Sequence, residues 1–119
     1  MNIKEDFRLA LRELVYPVCI VSAYNDETKE NHAITVSSVT SLSFDPPSIL
    51  VCINKDSSIH SSLKKDSNFN ISFLSSSQSE ISNLCGTDEL SNKRFDNDFW
   101  NFKNKVGFIK NSQSVISCI

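Results

Sequence analysis

The amino-acid sequence predicts a mainly β protein, an antiparallel barrel with a few short helices at its corners. The first observation is that several short stretches alternate apolar and polar residues, which is the period of a β-strand. The second is that the helical stretches between them are shorter than the about 10 to 15 residues typical of a parallel α/β sheet. The third is that only two glycines, Gly86 and Gly107, are present. Because the sequence contains no glycine-rich phosphate loop, a Rossmann or P-loop site is excluded.

Length and composition are those of an ordinary globular chain. The 119 residues allow one domain with one core, spanning residues 1–119. The net charge of -2 is too small to favour nucleic acid or a membrane surface as a partner. No apolar run approaches the ~20 residues of a membrane helix, and the N-terminus lacks the basic and apolar regions of a signal peptide. We therefore expect a cytoplasmic protein that binds neither nucleic acid nor a membrane.

The first predicted element is an amphipathic helix. Its apolar residues Phe7, Ala10, Leu11 and Leu14 recur at the i, i+3, i+4 and i+7 spacing of one helical face. This spacing predicts a helix over about residues 4–14.

A β-hairpin is predicted after the helix. Pro17 ends the helix, because proline lacks the N–H group that would continue it. The apolar residues 18–24 predict a strand, and the polar residues 25–31 predict the hairpin loop. Residues 32–42 then predict one continuous second strand.

Residues 34–47 are the most informative part of the chain. They read Ile-Thr-Val-Ser-Ser-Val-Thr-Ser-Leu-Ser-Phe-Asp-Pro-Pro, so apolar and hydroxyl residues alternate until a double proline. The polar face carries hydroxyls rather than charges, at Thr35, Ser37, Ser41 and Ser43. Small hydroxyls let a flat ligand approach the backbone and form hydrogen bonds there. The pattern indicates a binding strand, although an ordinary half-exposed strand has the same alternation.

Further short elements are predicted beyond the double proline. The prolines form a stiff corner, because each restricts the residue before it to extended conformations. We expect residues 48–53 to form an apolar strand that is buried on both faces or nearly so, followed by a short helix through Leu63 capped by the hydroxyl of Ser57 or Ser58. A strand at 68–74 and a helix at 77–85, with Ile81, Leu84 and Cys85 on one face, come next. An irregular segment at 86–112, anchored by Phe95, Phe99, Trp100 and Phe102, then leads to a strand at 115–119. The aromatic anchors fit a core, a dimer interface or a surface that stacks on a nicotinamide or adenine ring.

The cysteines and histidines give little sign of metal or nucleophile chemistry. Cysteine recurs every 33 residues, but the surrounding residues do not repeat, and no CxxC motif is present. We expect Cys19 and Cys52 to be buried thiols in apolar strands and expect no disulfides. The two histidines, His32 and His60, have no carboxylate or cysteine at a metal or dyad spacing, which favours surface or capping roles.

These segments, in this order, resemble the short-chain flavin reductase family, whose domain is an FMN-binding split barrel. The matching segments are Phe7-Arg8-x-Ala10-Leu11-Arg12, Pro17-Val18-Cys19-Ile20-Val21-Ser22, residues 34–47, Val51-Cys52-Ile53-Asn54-Lys55-Asp56-Ser57-Ser58-Ile59-His60, Phe69-Asn70-Ile71-Ser72-Phe73-Leu74, Gln78 and Arg94-Phe95. The match covers the whole chain, and residues 34–47 are its specific part. The resemblance implies an antiparallel Greek-key split β-barrel.

The resemblance also implies the residues of a flavin site. The flavin ring would contact Thr35, Val36, Ser37 and Ser38. The flavin phosphate would contact Asn54, Lys55, Ser57 and Ser58, where lysine, hydroxyls and the start of a helix favour an anion; a simple capped turn is the alternative. Arg94 would reach the flavin or a dinucleotide phosphate, with a surface ion pair to Asp96 or Asp98 as the alternative.

The implied activity is that of an NAD(P)H:flavin oxidoreductase. It would use FMN or FAD as cofactor and NADH or NADPH as co-substrate, as a homodimer that supplies reduced flavin to a partner monooxygenase. No catalytic side chain and no metal are expected, because the flavin carries the hydride. The alternatives are a non-catalytic flavin carrier or sensor, or a dimerisation module. A related barrel that oxidises a pyridoxine-type phosphate or binds haem fits residues 34–47 less well.

Two departures from the family pattern bear on this expectation. Ser72 stands where the family strand usually has asparagine. The chain ends at Ile119, inside the family pattern and before its late Gly-Asp-His segment. We expect a fragment or a shortened relative that lacks the closing C-terminal strands.

Overall fold

Three antiparallel sheets form the frame of the part of the chain that the structure describes. The computed structural model describes residues 2–12 and 17–119. Its elements, in chain order, are α1 (Ile3–Arg12), β1 (Cys19–Asn25), β2 (Glu30–Val36), β3 (Val39–Phe44), β4 (Pro47–Val51), a 3₁₀ helix at Ser58–Ser62, β5 (Phe69–Phe73), α2 (Ser79–Gly86), a second 3₁₀ helix at Asp88–Lys93, β6 (Trp100–Lys103), β7 (Val106–Ile109) and β8 (Ser114–Cys118). The prediction of a mainly β fold with a few short helices is confirmed.

The largest sheet has the strand order β2-β1-β5-β8, and β1 lies at its centre. One face of β1 places Cys19, Val21 and Ala23 in a core cluster with the first 3₁₀ helix and β3. The opposite face places Ile20 in a second cluster that includes α2 and the hairpin of β6 and β7. Because both faces are covered, residues 19–23 of β1 are all buried, and Tyr24 of the same strand is half-buried.

Residues 32–42 do not form the single strand that the alternation predicts. The chain leaves the large sheet at Val36, and β3 starts a separate two-stranded sheet with β4 at Val39. The break lies at Ser37 and Ser38, both exposed. It arises because Ser38 bonds to the backbone of Cys52 at the end of β4, which draws the chain into the second sheet. The hydroxyls therefore do not share one strand face.

Three smaller expectations are also wrong. Strand β4 is not buried on both faces, since β3 is its one partner among the described strands and Leu50 is exposed. Cys52 lies beyond the end of β4 and is exposed rather than buried, whereas Cys19 is buried as predicted. The segment at 86–112 is not irregular throughout, because it contains the second 3₁₀ helix and the hairpin of β6 and β7.

The remaining elements agree with their predictions to within a few residues. Strands β1, β5 and β8 and the helix α2 are present, and α2 buries Ile81 and Cys85. Helix α1 is present, but none of its residues is buried, and Leu14 of the predicted apolar face lies outside the described residues. Over the described ranges, no helix is both long enough and apolar enough to cross a membrane.

Candidate functional site

The candidate site is centred on the exposed junction between β2 and β3. Ser38 Oγ donates a hydrogen bond to the carbonyl of Cys52 at 3.1 Å, and the Cys52 N–H donates to Ser38 Oγ at 3.3 Å. This pair continues the register in which Val39 lies opposite Val51. The residues after Cys52 lead directly into the turn that contains Asn54. The structure thus brings the predicted ring-binding segment beside the predicted phosphate-binding turn.

The turn after β4 is held by its own side chains. Asn54 Oδ1 accepts the N–H of Asp56 at 2.9 Å, and Ser57 Oγ donates to the Asn54 carbonyl at 2.6 Å. The short helix expected here is present, but neither serine hydroxyl caps it, because that of Ser57 is engaged with Asn54. The first N–H groups of the helix are therefore not occupied by a side-chain cap. Lys55 and Ser58 are exposed beside them.

Thr35 and Val36 have different surroundings from the two serines that follow them. Thr35 Oγ1 donates to the carbonyl of Ser82 in α2 at 2.6 Å, and Val36 is buried in the first core cluster. Their side chains thus serve the fold, so contact with a ligand at these two positions falls to the backbone. Ser37 is the exposed hydroxyl at the end of β2.

Arg94 does not form the alternative surface ion pair with Asp96 or Asp98. Its side chain is buried, and the carboxylate nearest its guanidinium is that of Asp88, at 4.0 Å. The guanidinium donates instead to the backbone carbonyls of Leu84, Ala33 and Thr87, at 3.1, 2.7 and 3.3 Å. Sequence reasoning had no signal for these partners, because all three acceptors are main-chain atoms.

The titratable groups around α2 supply no nucleophile. Cys85 is buried in the second core cluster, and burial raises the pKa of its thiol to about 12, although the nearby Arg94 charge opposes the rise. The thiol is therefore neutral at physiological pH. His32 is half-buried, with Nδ1 2.9 Å from Ser62 Oγ, and His60 is exposed. Among the described residues, neither histidine side chain forms a hydrogen bond to the β2–β3 junction.

The described part of the protein has two grooves of about 490 Å³ each, and the second lies next to the turn that contains Asn54, at Ile53. One is bordered by Asn70, Lys103 and Phe108, and the other by Ile53, His60 and Phe69. Neither groove includes any of the nine residues predicted to bind flavin. Those residues lie on an open strand junction and turn, apart from the buried Val36 and Arg94.

Comparisons with known proteins agree with this architecture. Residues 11–119 match the family model described as flavin reductase like domain. The reductase component of an FADH(2)-dependent resorcinol hydroxylase from Rhizobium sp. (strain MTP-10005) is 28% identical over 118 residues, which are 98% of this chain and 66% of that protein. An NADH:riboflavin 5′-phosphate oxidoreductase from Streptomyces pristinaespiralis is 34% identical over 83 residues, which are 70% of this chain and 47% of that protein.

A solved structure shows the same fold. The NADH:FAD oxidoreductase of Streptomyces globisporus C-1027, in complex with NAD and FAD fragments, matches with a TM-score of 0.84 at 22% identity, over 98% of this chain and 68% of that one. The fold is that of the flavin reductase split-barrel proteins. The chain spans 66% and 47% of the length of the two curated relatives described above.

Proposed function

The chain belongs to the flavin reductase-like domain family, and from that premise we propose that it is a flavin-binding NAD(P)H:flavin oxidoreductase. It takes FMN or FAD as cofactor and NADH or NADPH as hydride donor. The relatives support this assignment, because one is an NADH:riboflavin 5′-phosphate oxidoreductase and another is the reductase component of a hydroxylase. On the same grounds we propose that the reduced flavin serves a partner monooxygenase.

One observation carries the proposal more than any other. The paired hydrogen bonds between Ser38 and Cys52 place an exposed hydroxyl segment beside an exposed turn with a lysine and an uncapped helix start. A flavin nucleotide needs both surfaces at once, because its ring is polar at one edge and its phosphate is anionic. The residues present therefore fit the group.

The chain's own residues would bind and orient the flavin. The backbone of residues 35–38 and the Ser37 hydroxyl would hydrogen-bond the polar edge of the ring. Lys55, Ser58 and the N–H groups that begin the 3₁₀ helix would hold the phosphate, since cations and unpaired N–H groups favour an anion. When bound, the flavin supplies the hydride-accepting ring, so the protein needs to position it rather than move a proton.

We further propose that the protein works as a homodimer. The hairpin formed by β3 and β4 exposes three large apolar side chains, those of Leu42, Phe44 and Leu50, which together are named here the hairpin face. Val39 and Ile49 of the same hairpin pack on the core instead. Exposed apolar groups this large favour burial against another protein surface, and a second copy of this chain is the proposed occupant.

Flavin binding to a Ser37→Leu variant tests the proposed site. We expect FMN affinity to fall about tenfold or more, the equivalent of about 1.4 kcal/mol, because the larger side chain occupies the space of the ring edge. Quenching of flavin fluorescence measures the affinity, and NADH and NADPH oxidation with added flavin measures turnover.

The matched control is Ser76→Leu, an exposed serine in the turn before α2. It should bind FMN like the unmodified chain. Equal affinities of the Ser37 and Ser76 variants would place the flavin elsewhere. No saturable binding of FMN or FAD by the unmodified chain would exclude the proposed function, and binding without NAD(P)H turnover would favour a carrier or sensor.

A further inference from the structure

Among residues 2–12 and 17–119, the buried cation Arg94 has no buried counter-ion. Only 7% of the residue is exposed, and the carboxylate of Asp88, 4.0 Å away, is itself fully exposed to water. An exposed carboxylate at that distance adds little to the stability of a buried charge. A buried guanidinium is costly unless its donors are satisfied. The three carbonyls that accept from it must therefore supply most of the compensation.

These carbonyls belong to two different elements. Leu84 lies in the last turn of α2, and Thr87 is the residue that ends this helix. Carbonyls at a helix C-terminus lack intrahelical partners and carry a partial negative charge, which favours a cation there. Ala33, the third acceptor, lies in the middle of β2. The Arg94 side chain therefore caps α2 and ties its end to β2.

A second bond fastens the same two elements. Thr35 Oγ1, two residues further along β2, donates to the carbonyl of Ser82 in α2 at 2.6 Å. Helix α2 and strand β2 also lie close together at the C-terminal end of α2, where a Cβ added to Gly86 would be in ordinary van der Waals contact with Cβ of Thr35, at 3.5 Å. The bonds of Arg94 and Thr35 are together named the α2–β2 clasp. The clasp ends one residue before Val36, which leads directly into the exposed Ser37 and Ser38.

We propose that Arg94 is a positioning residue for the flavin site, acting through the α2–β2 clasp rather than by contact with the flavin or a nucleotide phosphate. The inference rests on the proposed function, which makes flavin the ligand of this site. The Nε, Nη1 and Nη2 atoms of Arg94 all donate to main-chain carbonyls, and these bonds hold β2 in place. The residues that continue β2 are the ones that would hydrogen-bond the flavin ring. A lysine at this position keeps the charge but lacks the planar fork needed to reach three acceptors at once.

Hydrogen exchange of the ligand-free protein tests the clasp itself. In Arg94→Lys we expect the backbone amides of residues 33–36 and 82–87 to exchange about tenfold faster, the effect of losing one charged hydrogen bond. The amides of β5 should not change. The control is Arg8→Lys, whose exposed pair with Glu5 in α1 is not part of the clasp. If Arg94→Lys does not fold, Thr35→Val removes the other bond of the clasp and should accelerate the same amides. Unchanged exchange in the folded variants would overturn the inference.

Flavin affinity separates positioning from phosphate contact. Arg94→Lys should weaken the binding of FMN and of riboflavin, which has no phosphate, by the same factor of about ten. Loss of FMN affinity alone would assign Arg94 to the phosphate and overturn the inference. Failure of the unmodified chain to bind either flavin would overturn the proposed function and the flavin role of Arg94 with it. Unchanged flavin affinity of Arg94→Lys together with unchanged amide hydrogen exchange would overturn the inference about Arg94 and leave the proposed function standing.

Discussion

At the scale of single residues, Gly107 shows how an aromatic cluster sets a backbone requirement. A Cβ added to Gly107 would lie 2.8 Å from Cε3 of Trp100 and 3.1 Å from Cε1 of Phe102. The Trp100 ring is also fixed from other sides, because it stacks on Phe95 and donates its N–H to the Arg94 carbonyl at 2.6 Å. The indole cannot retreat without losing these contacts, so the position requires a residue without a side chain.

Gly107→Ala should therefore lower the free energy of unfolding by about 1 to 3 kcal/mol, the usual effect of overpacking a buried site. Urea unfolding followed by Trp100 fluorescence measures the change. The control is Gly86→Ala at the end of α2, where the added Cβ meets Thr35 at an ordinary 3.5 Å. Alanine also favours a helix more than glycine does, so this variant should be as stable as the original or more stable. Equal stability of the two variants would show that the Trp100 contact is not restrictive.

At the scale of elements, the hairpin of β6 and β7 is the part that the sequence did not predict. Each strand has only four residues, and the turn between them is made by Asn104 and Lys105, both with positive φ, at 52° and 73°. Lysine is uncommon in that conformation, so the usual Asn-Gly signal of such a turn is missing. The hairpin is attached to the large sheet by buried side chains. Ser22 and Asn70 donate to the Gly107 carbonyl, and Ser72 accepts the N–H of Ile109.

These attachments predict unequal effects of two similar substitutions. The Lys110 N–H donates to the carbonyl of Phe99, the residue just before β6. Because successive N–H groups of a strand point to opposite sides, the Ile109 N–H points away from β6, and its acceptor is the Ser72 hydroxyl. Ser72→Ala leaves that buried N–H without an acceptor and should cost about 1 to 3 kcal/mol of unfolding free energy. In Ser22→Ala the Gly107 carbonyl keeps Asn70, so the cost should be about 1 kcal/mol or less.

Urea unfolding measures both costs, and hydrogen exchange of the Ile109 amide shows whether the loss is local to the hairpin. The two variants serve as controls for each other, because both remove a buried hydroxyl from the large sheet. A larger cost for Ser22→Ala would contradict the assigned role of Ser72. The bond to Ile109 also gives Ser72 a role in the fold.

At the scale of the whole molecule, elements that form by burial of apolar residues were predictable from the sequence. Features that depend on hydrogen bonds between residues far apart in the sequence were not. Strand β1 was predictable because it is a short run of mostly apolar residues, and helix α2 because its apolar residues recur at the period of one helical face. The break at Ser37 was not, since the alternation of residues continues across it while a bond from Ser38 to Cys52 redirects the chain. The bond from the Thr35 hydroxyl to the Ser82 carbonyl was likewise not predictable, because it joins residues 47 positions apart and its acceptor is a main-chain atom. The resemblance named the candidate residues, whereas their burial and their hydrogen-bond partners could be read only from the tertiary structure.

The hairpin face gives the whole molecule an apolar surface that the described residues do not cover. Leu42 is 68% exposed, Phe44 is 91% exposed and Leu50 is 47% exposed. These residues belong to the hairpin that begins just after Ser38, at the border of the candidate flavin site. If a second copy bound here also reaches the Ser38 end of the hairpin, flavin binding and association would be coupled.

The double variant Leu42→Asp, Phe44→Asp should accordingly be a monomer at concentrations where the unmodified chain is a dimer. Two carboxylates on the hairpin face would have to be desolvated, without partners, for the copies to associate. Sedimentation velocity over a range of protein concentrations measures the association. The control is Phe102→Asp, which places a charge at an aromatic that is likewise exposed, on the hairpin of β6 and β7, and should leave the dimer intact. A monomeric unmodified chain, or equal dissociation of both variants, would contradict the assignment of this face. If association and flavin binding are coupled, saturating FMN should also shift the unmodified chain toward the dimer, because the coupling acts in both directions.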